Sequence, residues 1–235
     1  MLYFRSFVFT VLFFAWAAVA SLVSVLLLPF PGRAMRWLAR VWAKVVNILL
    51  RVVCGIKMQN QINAALLPPR PYIMAVKHQS AWETMVMHLV APKPATIVKK
   101  GLAQIPFFGW AVMRAGSIAL DRGAGSKAMR HLLDQAQKRA KKKYTLVVYP
   151  EGTRTPYGKR VESYQPGVAL LYDKLRLPVV PIVLNSGKLW GKNSWIKRPG
   201  TITIKNLPPI MPGIEKREFM KRLNKEMEDG CEALG

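Results

Sequence analysis

Acidic residues are scarce in this chain, with 12 Asp and Glu against 36 Lys and Arg and a net charge of +24. Such an excess attracts polyanions, whether nucleic acid, acidic lipid or phosphorylated substrates, and does not by itself choose among them. Cysteine is scarcer still. Cys54 and Cys231 lie far apart and neither has metal-ligand spacing around it, so neither a disulfide framework nor a zinc site is indicated, and a reducing, cytoplasmic setting fits. Repeats, low-complexity tracts and signs of a second domain are absent. Charge of either sign is missing from Ser6 to Gly32, and no acidic residue precedes Glu83. With 235 residues, 51% of them hydrophobic, the chain can bury one full core and has apolar residues left over to meet lipid.

The uncharged N-terminal stretch carries the first positive signal. From Phe7 to Phe30 it is broken only by Thr10, Ser21, Ser24 and Pro29, long enough to cross a hydrocarbon core of roughly 30 Å, and it reads as one membrane helix. Ala18-Val19-Ala20 also suits a signal-peptide cleavage site. Against that, the run stays apolar past Ala20 and the leader's only positive charge is Arg5, so a retained anchor is expected. Arg33, Arg36, Arg40 and Lys44 follow the span, an asymmetry that turns the remaining domain toward the cytoplasm. Eight basic residues and no acidic one between Arg33 and Trp82 favour the surface of an anionic membrane.

Residues 33 to 53 form a second element. Arg33, Arg36, Arg40, Lys44, Asn47 and Arg51 recur every three or four positions, while Trp37, Leu38, Val41, Trp42, Val45, Ile48, Leu49 and Val52 fill the rest. On a helix this is a narrow polar stripe beside a broad apolar face, suited to the bilayer interface. The alternative is a helix packed against the domain. The expected organisation is a membrane anchor over 1–58 and a catalytic domain over 59–235.

After Pro68-Pro69, short β-rich runs alternate with helical patterns: Tyr72 to Val76, Ala95 to Val98, Ser117 to Leu120, Thr145 to Tyr149, Val179 to Leu184 and Thr201 to Ile204. Ser126 to Lys143 and Glu215 to Glu228 read as surface helices. This rhythm predicts an α/β domain.

Four motifs carry chemistry. His78-Gln79-Ser80-Ala81-Trp82-Glu83 follows a predicted strand, where a loop exposes a side chain at a sheet edge and a histidine can accept a proton near neutral pH. A carboxylate on the other ring nitrogen fixes the tautomer and stabilises the imidazolium, and Glu83 is the only acidic residue before Asp121. Ser80 to Glu83 equally spells a helix capping box. Gly116 to Arg122 is a strand ending in a charged pair, ordinarily a surface ion pair. In Tyr149-Pro150-Glu151-Gly152-Thr153-Arg154-Thr155, Gly152 permits close backbone approach and Arg154 offers a fork of donors for phosphate, although a plain strand-ending turn reads the same way. Leu177 to Ile182 is an apolar strand punctuated by prolines.

In order and spacing the four motifs resemble those of the glycerolipid acyltransferase family, which includes the 1-acylglycerol-3-phosphate acyltransferases of bacterial membranes, over about residues 70 to 190. Lys99-Lys100 and Ile105 to Trp110 are similar to the stretch before that family's second motif. The resemblance implies a mixed sheet flanked by helices and residence at a bacterial-type inner membrane. It implies that His78 deprotonates an acceptor hydroxyl, which attacks the thioester of acyl-CoA or acyl carrier protein directly. Glu83 then partners His78, and Lys100, Arg122, Glu151, Gly152, Thr153 and Arg154 bind the glycerol phosphate of lysophosphatidate, with glycerol 3-phosphate, another lysophospholipid or an acylated amine as alternative acceptors that share the histidine motif. No cofactor, metal or covalent enzyme intermediate is implied. Two departures stand out: Glu83 where the family usually has Asp, and Lys77 where it often has Asn. A working dyad predicts a Glu83 carboxylate within roughly 3 Å of a His78 ring nitrogen.

A membrane-tethered nucleic-acid binder is the competing class, motivated by the charge and seven Trp. The aromatics concentrate in the N-terminal elements and no nucleic-acid-binding motif appears, so nucleic acid is not an expected partner. His88 and His131 have no acidic partner at short spacing and read as ordinary histidines.

Overall fold

The structure is a computed structural model and describes residues 1–235 apart from Arg122. Its elements in chain order are α1 (Leu2–Leu27), α2 (Gly32–Cys54), β1 (Ile56–Gln61), β2 (Ile73–Val76), α3 (Trp82–Val90), β3 (Pro94–Lys99), α4 (Lys100–Ala103), α5 (Phe108–Ala115), β4 (Ile118–Leu120), α6 (Gly125–Lys141), β5 (Thr145–Val148), α7 (Pro166–Leu175), β6 (Val179–Leu184), α8 (Ser186–Leu189), β7 (Gly200–Asn206) and α9 (Lys216–Glu232). The strands form one sheet in the order β1-β7-β6-β2-β5-β3-β4. From β6 to β4 all neighbours are parallel, β7 runs antiparallel to β6, and β1 pairs parallel with β7.

Every residue of β2, β5 and β6 is buried, which is why these strands read as unbroken apolar runs. Successive side chains point to opposite faces and so feed two cores. Ile73, Ala75, Leu146 and Val148 meet Leu132 of α6, Val168 and Tyr172 of α7 and Phe219, Leu223 and Met227 of α9 on one face. Met74, Val76, Val147 and Val180 meet Val46 and Leu50 of α2 and Trp82 and Val86 of α3 on the other. Burial of each large side chain contributes about 1.5–3 kcal/mol.

The second N-terminal helix packs on the domain as well as on α1. Met35, Leu38, Ala43, Val46, Leu50 and Cys54 of α2 are buried, while Trp37, Ile48 and Val52 stay exposed with Arg33, Arg40, Lys44 and Arg51. Asn47, a member of the polar stripe, accepts the Trp82 indole N–H at 2.9 Å. Gly55 ends α2 in the left-handed conformation, its N–H bonded to the Leu50 carbonyl. The sheet begins one residue later, so the expected break at 58/59 falls inside β1, a strand whose polar sequence gave no alternation to read.

By length and composition α1 is long and apolar enough to cross a membrane. Phe4, Phe7, Val11, Phe14, Leu22 and Leu26 face outward. Both ends of the helix touch the domain. The Lys197 backbone N–H donates to Ser6 Oγ at 3.0 Å, and past the other end the Arg114 guanidinium donates to the Phe30 carbonyl at 2.8 Å.

Candidate active site

Parallel strands bring their carboxyl ends to a single edge, and there the chemistry-bearing residues gather. Ser186 follows β6, His78 follows β2, Tyr149 to Thr155 follow β5, Lys100 follows β3 and Asp121 follows β4, in the order of the strands across the sheet. At about 4.8 Å per strand, β2 and β4 lie about 14 Å apart, so the edge is as long as a small phosphorylated molecule. Arg122, expected at the far end, lies outside the described residues.

At this edge Glu83 both orients the histidine and caps the helix. Its Oε1 is 2.8 Å from His78 Nδ1 and accepts the backbone N–H groups of Gln79 at 2.7 Å and Ser80 at 2.6 Å. Its Oε2 accepts the Ser186 hydroxyl at 2.8 Å. The turn from His78 to Glu83 brings all three groups to one oxygen, and Ser80 Oγ accepts the N–H of Trp82, where α3 begins. A carboxylate can only accept, so Nδ1 carries the hydrogen and Nε2 presents its lone pair. Glu83 has no exposed surface and His78 keeps 13%, which leaves the ring reachable on the side away from its partner.

Tyr149 stacks on the His78 ring, centroids 4.4 Å apart and planes 30° apart. Burial, with Glu83 and Glu151 nearby, holds its phenol well above the usual tyrosine range, so it stays neutral and serves as a fixed wall. The third motif is tied to the histidine as well. The Thr155 N–H and hydroxyl both donate to the His78 carbonyl, at 2.8 and 3.2 Å, and Glu151 Oε1 accepts the His78 N–H at 2.9 Å. Gly152 takes φ +71°, where a Cβ would fall 2.7 Å from Gln165 Cγ, so the turn closes only with glycine.

Glu151 thus faces inward. Its carboxylate is buried beside the Lys77 ammonium at 3.5 Å, and Lys77 is paired in turn with buried Glu228 of α9, which also accepts the Tyr164 hydroxyl at 2.7 Å. Burial raises the pKa of Glu151, and Lys77 and the His78 N–H partly offset this. A buried carboxylate cannot itself attract phosphate, and Glu151 instead ties its turn to the His78 backbone. Lys77, the departure from the family pattern, supplies a cation between two buried carboxylates. Lys77, Glu228, Tyr149 and Ser186 were not among the expected site residues; Tyr149 opens the third motif and Lys77 lies beside the first, while Glu228 and Ser186 are in none.

Thr153 is exposed and Arg154 half-buried, and among the described residues Arg154 makes no hydrogen bond or ion pair, so its donors face no competitor. Lys100 is exposed and paired with Asp121 at 3.0 Å. Lys99, Lys100, Gln104, Leu120 and Asp121 line a cleft of about 340 Å³. Beside it, Leu102, Ile105, Phe107, Phe108 and Trp110 expose apolar surface, so cations and grease adjoin.

The family model described as Acyltransferase matches residues 56–185, more than half of the chain, from the first residue of β1 to the residue after β6. The chain belongs to the acyltransferase family. A 1-acyl-sn-glycerol-3-phosphate acyltransferase of Pseudomonas aeruginosa is 33% identical over 215 residues, covering 92% of this chain and 82% of that protein. Another from Cocos nucifera is 30% identical over 194 residues, covering 82% of this chain and 62% of that protein. Among solved structures, the 1-acyl-sn-glycerophosphate acyltransferase of Thermotoga maritima shares the fold with a TM-score of 0.80 at 22% identity, over 100% of this chain and 98% of that one. In this acyltransferase the matched segment contains His78, Glu83 and the third motif, whereas Ser186 and Glu228 lie beyond it.

Proposed function

We propose that the enzyme transfers a fatty acyl group from acyl-CoA or acyl carrier protein to the free hydroxyl of 1-acylglycerol 3-phosphate, forming phosphatidate. The observation that carries the reading is the buried Glu83 carboxylate on His78 Nδ1, which leaves Nε2 as the base. The acceptor hydroxyl gives its proton to Nε2 while its oxygen attacks the thioester carbonyl. The imidazolium is stabilised by Glu83 and returns the proton to the departing sulfur as the C–S bond breaks. A general base contributes typically 10²–10⁴-fold, and holding two substrates in register can supply much of the rest for an already activated thioester.

Thr153 and Arg154, one strand from the base, and Lys100, two strands away, are the proposed phosphate contacts, together with Arg122. Such a line suits an acceptor whose phosphate and hydroxyl are separated by a glycerol, and the names of the two relatives support that acceptor. The basic surface steers either acidic donor. The exposed face of α1 and the apolar surface of α4 and α5 meet the membrane, of the bacterial inner type, with the domain on the cytoplasmic side.

The test is acyl transfer in phospholipid vesicles by purified wild type and His78→Ala, with both donors and with lysophosphatidate, lysophosphatidylcholine and glycerol 3-phosphate as acceptors. Lysophosphatidate is expected to be the best acceptor, and His78→Ala to lose at least 10²-fold in kcat, about the contribution of a general base. Unchanged turnover in the variant removes the mechanism; a better rate on another acceptor reassigns the substrate.

A further inference from the structure

The amino edge of the same sheet, opposite the catalytic one, carries a second concentration of charge. Lys93 directly precedes β3, Tyr144 directly precedes β5, Arg70 lies just ahead of β2 and Gly116 just ahead of β4. Three cations surround the buried Tyr144 ring: Lys93 Nζ at 4.4 Å, the Arg36 guanidinium at 5.5 Å and that of Arg139 at 6.0 Å from its centroid. Arg36 also donates to the Tyr144 hydroxyl at 3.0 Å. Gly116 makes room for the ring, since at its φ of +121° a Cβ would lie 2.4 Å from it.

Backbone carbonyls hold these cations in place. Lys93 donates to the Lys142 carbonyl at 2.6 Å and Arg139 to that of Gly116 at 2.7 Å, while Arg70 reaches the Lys143 carbonyl at 3.5 Å. Among the described residues, no carboxylate pairs with Arg36, Arg70, Lys93, Arg139, Lys142 or Lys143. The nearby helix α6 has one acid in its second half, Asp134, and that is bonded to Lys138. Lys93 and Lys143 sit at φ 51° and 55°, a conformation that side-chain-bearing residues rarely adopt. The pKa of Lys93 is lowered by burial and then by Arg36, Arg70 and Lys142, a sign of like charges held together.

Six cations from four separated parts of the chain, facing no acid, repel one another until an anion joins them. Guanidinium and ammonium donors converging in this way match the oxygens of a phosphate. The position selects the kind of phosphate. Arg36 lies five residues beyond Pro31, the end of the α1–α2 connection, and the exposed side chains of Phe30 and Trp37 flank it. The outward apolar face of α1 ends at this connection. A tryptophan and arginines at the end of an apolar helix lie at the level of lipid headgroups.

We propose that the Arg36–Arg70–Lys93–Arg139–Lys142–Lys143 cluster binds the phosphate-bearing headgroup of an anionic bilayer lipid, at a site separate from the catalytic edge. It holds the connection between the two N-terminal helices against an acidic leaflet. The proposal rests on the membrane attachment described above and goes beyond it, because charged lipid is bound at one place and not by diffuse attraction.

The test compares binding of the full-length protein to vesicles of phosphatidylcholine and of equimolar phosphatidylcholine and phosphatidylglycerol. The first variant is Arg36→Gln/Arg70→Gln/Lys93→Gln. A second, Arg70→Gln/Lys142→Gln/Lys143→Gln, changes only exposed side chains and leaves the Tyr144 packing intact, which covers a folding defect in the first. The control, Lys216→Gln/Arg217→Gln/Lys221→Gln, removes the same charge from the start of α9, outside the cluster. Wild type is expected to prefer the anionic vesicles. At about fivefold per cation near an anionic surface, each cluster variant loses about 100-fold of that preference, while the control changes it less than about threefold. Equal losses in cluster and control variants reduce the site to general surface charge and overturn the proposal. A preference abolished by millimolar inorganic phosphate at matched ionic strength assigns the cluster to free phosphate. Unchanged vesicle binding with a raised KM for the acidic donor assigns it to the donor. Binding by wild type without lipid preference removes this site alone, whereas no binding to either vesicle removes the membrane attachment as well.

Discussion

Replacing Glu83 with glutamine removes a charge from the site and keeps nearly the same shape. The native carboxylate takes His78 Nδ1–H and two backbone N–H groups on one oxygen and the Ser186 hydroxyl on the other, all within 2.6–2.8 Å. A glutamine carbonyl still accepts the first three, and its amide can donate to Ser186 Oγ, so stability is expected to hold within about 1 kcal/mol. The charge that stabilises the imidazolium is lost. The expected fall in kcat is about 10²–10³-fold, or about 2.7–4 kcal/mol of transition-state stabilisation. Glu83→Ala does more damage, because the buried amides of Gln79 and Ser80 lose their acceptor at about 1–3 kcal/mol each, so stability falls along with turnover. Glu83→Asp restores the residue usual in the family but withdraws the carboxylate by up to one C–C bond, about 1.5 Å, which takes a 2.8 Å contact out of hydrogen-bond range. A loss of about ten- to a hundredfold follows unless α3 shifts. Acyl transfer at saturating donor and acceptor, with thermal unfolding of each variant, separates these outcomes. A Gln variant with wild-type kcat and wild-type stability would refute the role given to Glu83.

Lys77→Met leaves Glu151 and Glu228 buried without their cation, and the expected destabilisation is about 3–5 kcal/mol. Because burial already raises the pKa of Glu151, protonation relieves the variant at low pH, so the deficit should be smaller at pH 5 than at pH 8; equal deficits in thermal melts contradict this. Arg154→Ala is expected to raise KM for lysophosphatidate about tenfold or more with little change in kcat, through loss of a charge-assisted contact, and an unchanged KM reassigns the residue to the turn. His88 has its Nδ1 buried without a partner, and burial with Arg40 nearby lowers its pKa to about 4. Its unfolded pKa is about 6.5, so the unfolded chain takes the proton first. Stability is therefore full above pH 6.5 and declines toward pH 4 by up to about 3 kcal/mol, a slope that denaturant titrations should find flattened in His88→Leu.

Much of the soluble fold was legible because its central strands are buried on both faces and therefore spell short apolar runs. Six of the seven strands stand where those runs lie, and the two long surface helices appear as α6 and α9. The strand that escaped, β1, lies at the sheet edge with four exposed polar residues among its six, so no apolar rhythm marked it. Residues 33–53 were legible as an amphipathic helix, but their apolar face is shared between α1, the domain and the exterior, a division that periodicity does not encode.

At the site, His78, Glu83 and the turn from Tyr149 to Thr155 lay in contiguous motifs, where five or six residues of chain fix the neighbours. Lys77, Glu228 and Ser186 did not. Ser186 meets Glu83 across 103 positions and Glu228 meets Lys77 across 151, and no local pattern signals contacts made by separate elements. The cluster around Tyr144 was hidden in the same way, its cations scattered from Arg36 to Lys143.

The sequence by itself determined the chemistry on offer: a histidine with one carboxylate in reach, an arginine in a glycine turn, an apolar N-terminus and a large excess of positive charge. These are properties of residue type and short spacing. Tertiary structure alone decided how Glu83 is used. A sequence offers helix capping and histidine orientation as alternatives, but the turn from His78 to α3 aims Nδ1 and two backbone amides at one oxygen, and Ser186 at the start of α8 fixes the second. Only the parallel strands place these groups and the proposed phosphate contacts along one edge and the cations around Tyr144 along the other, since which ends of the strands meet is set by topology.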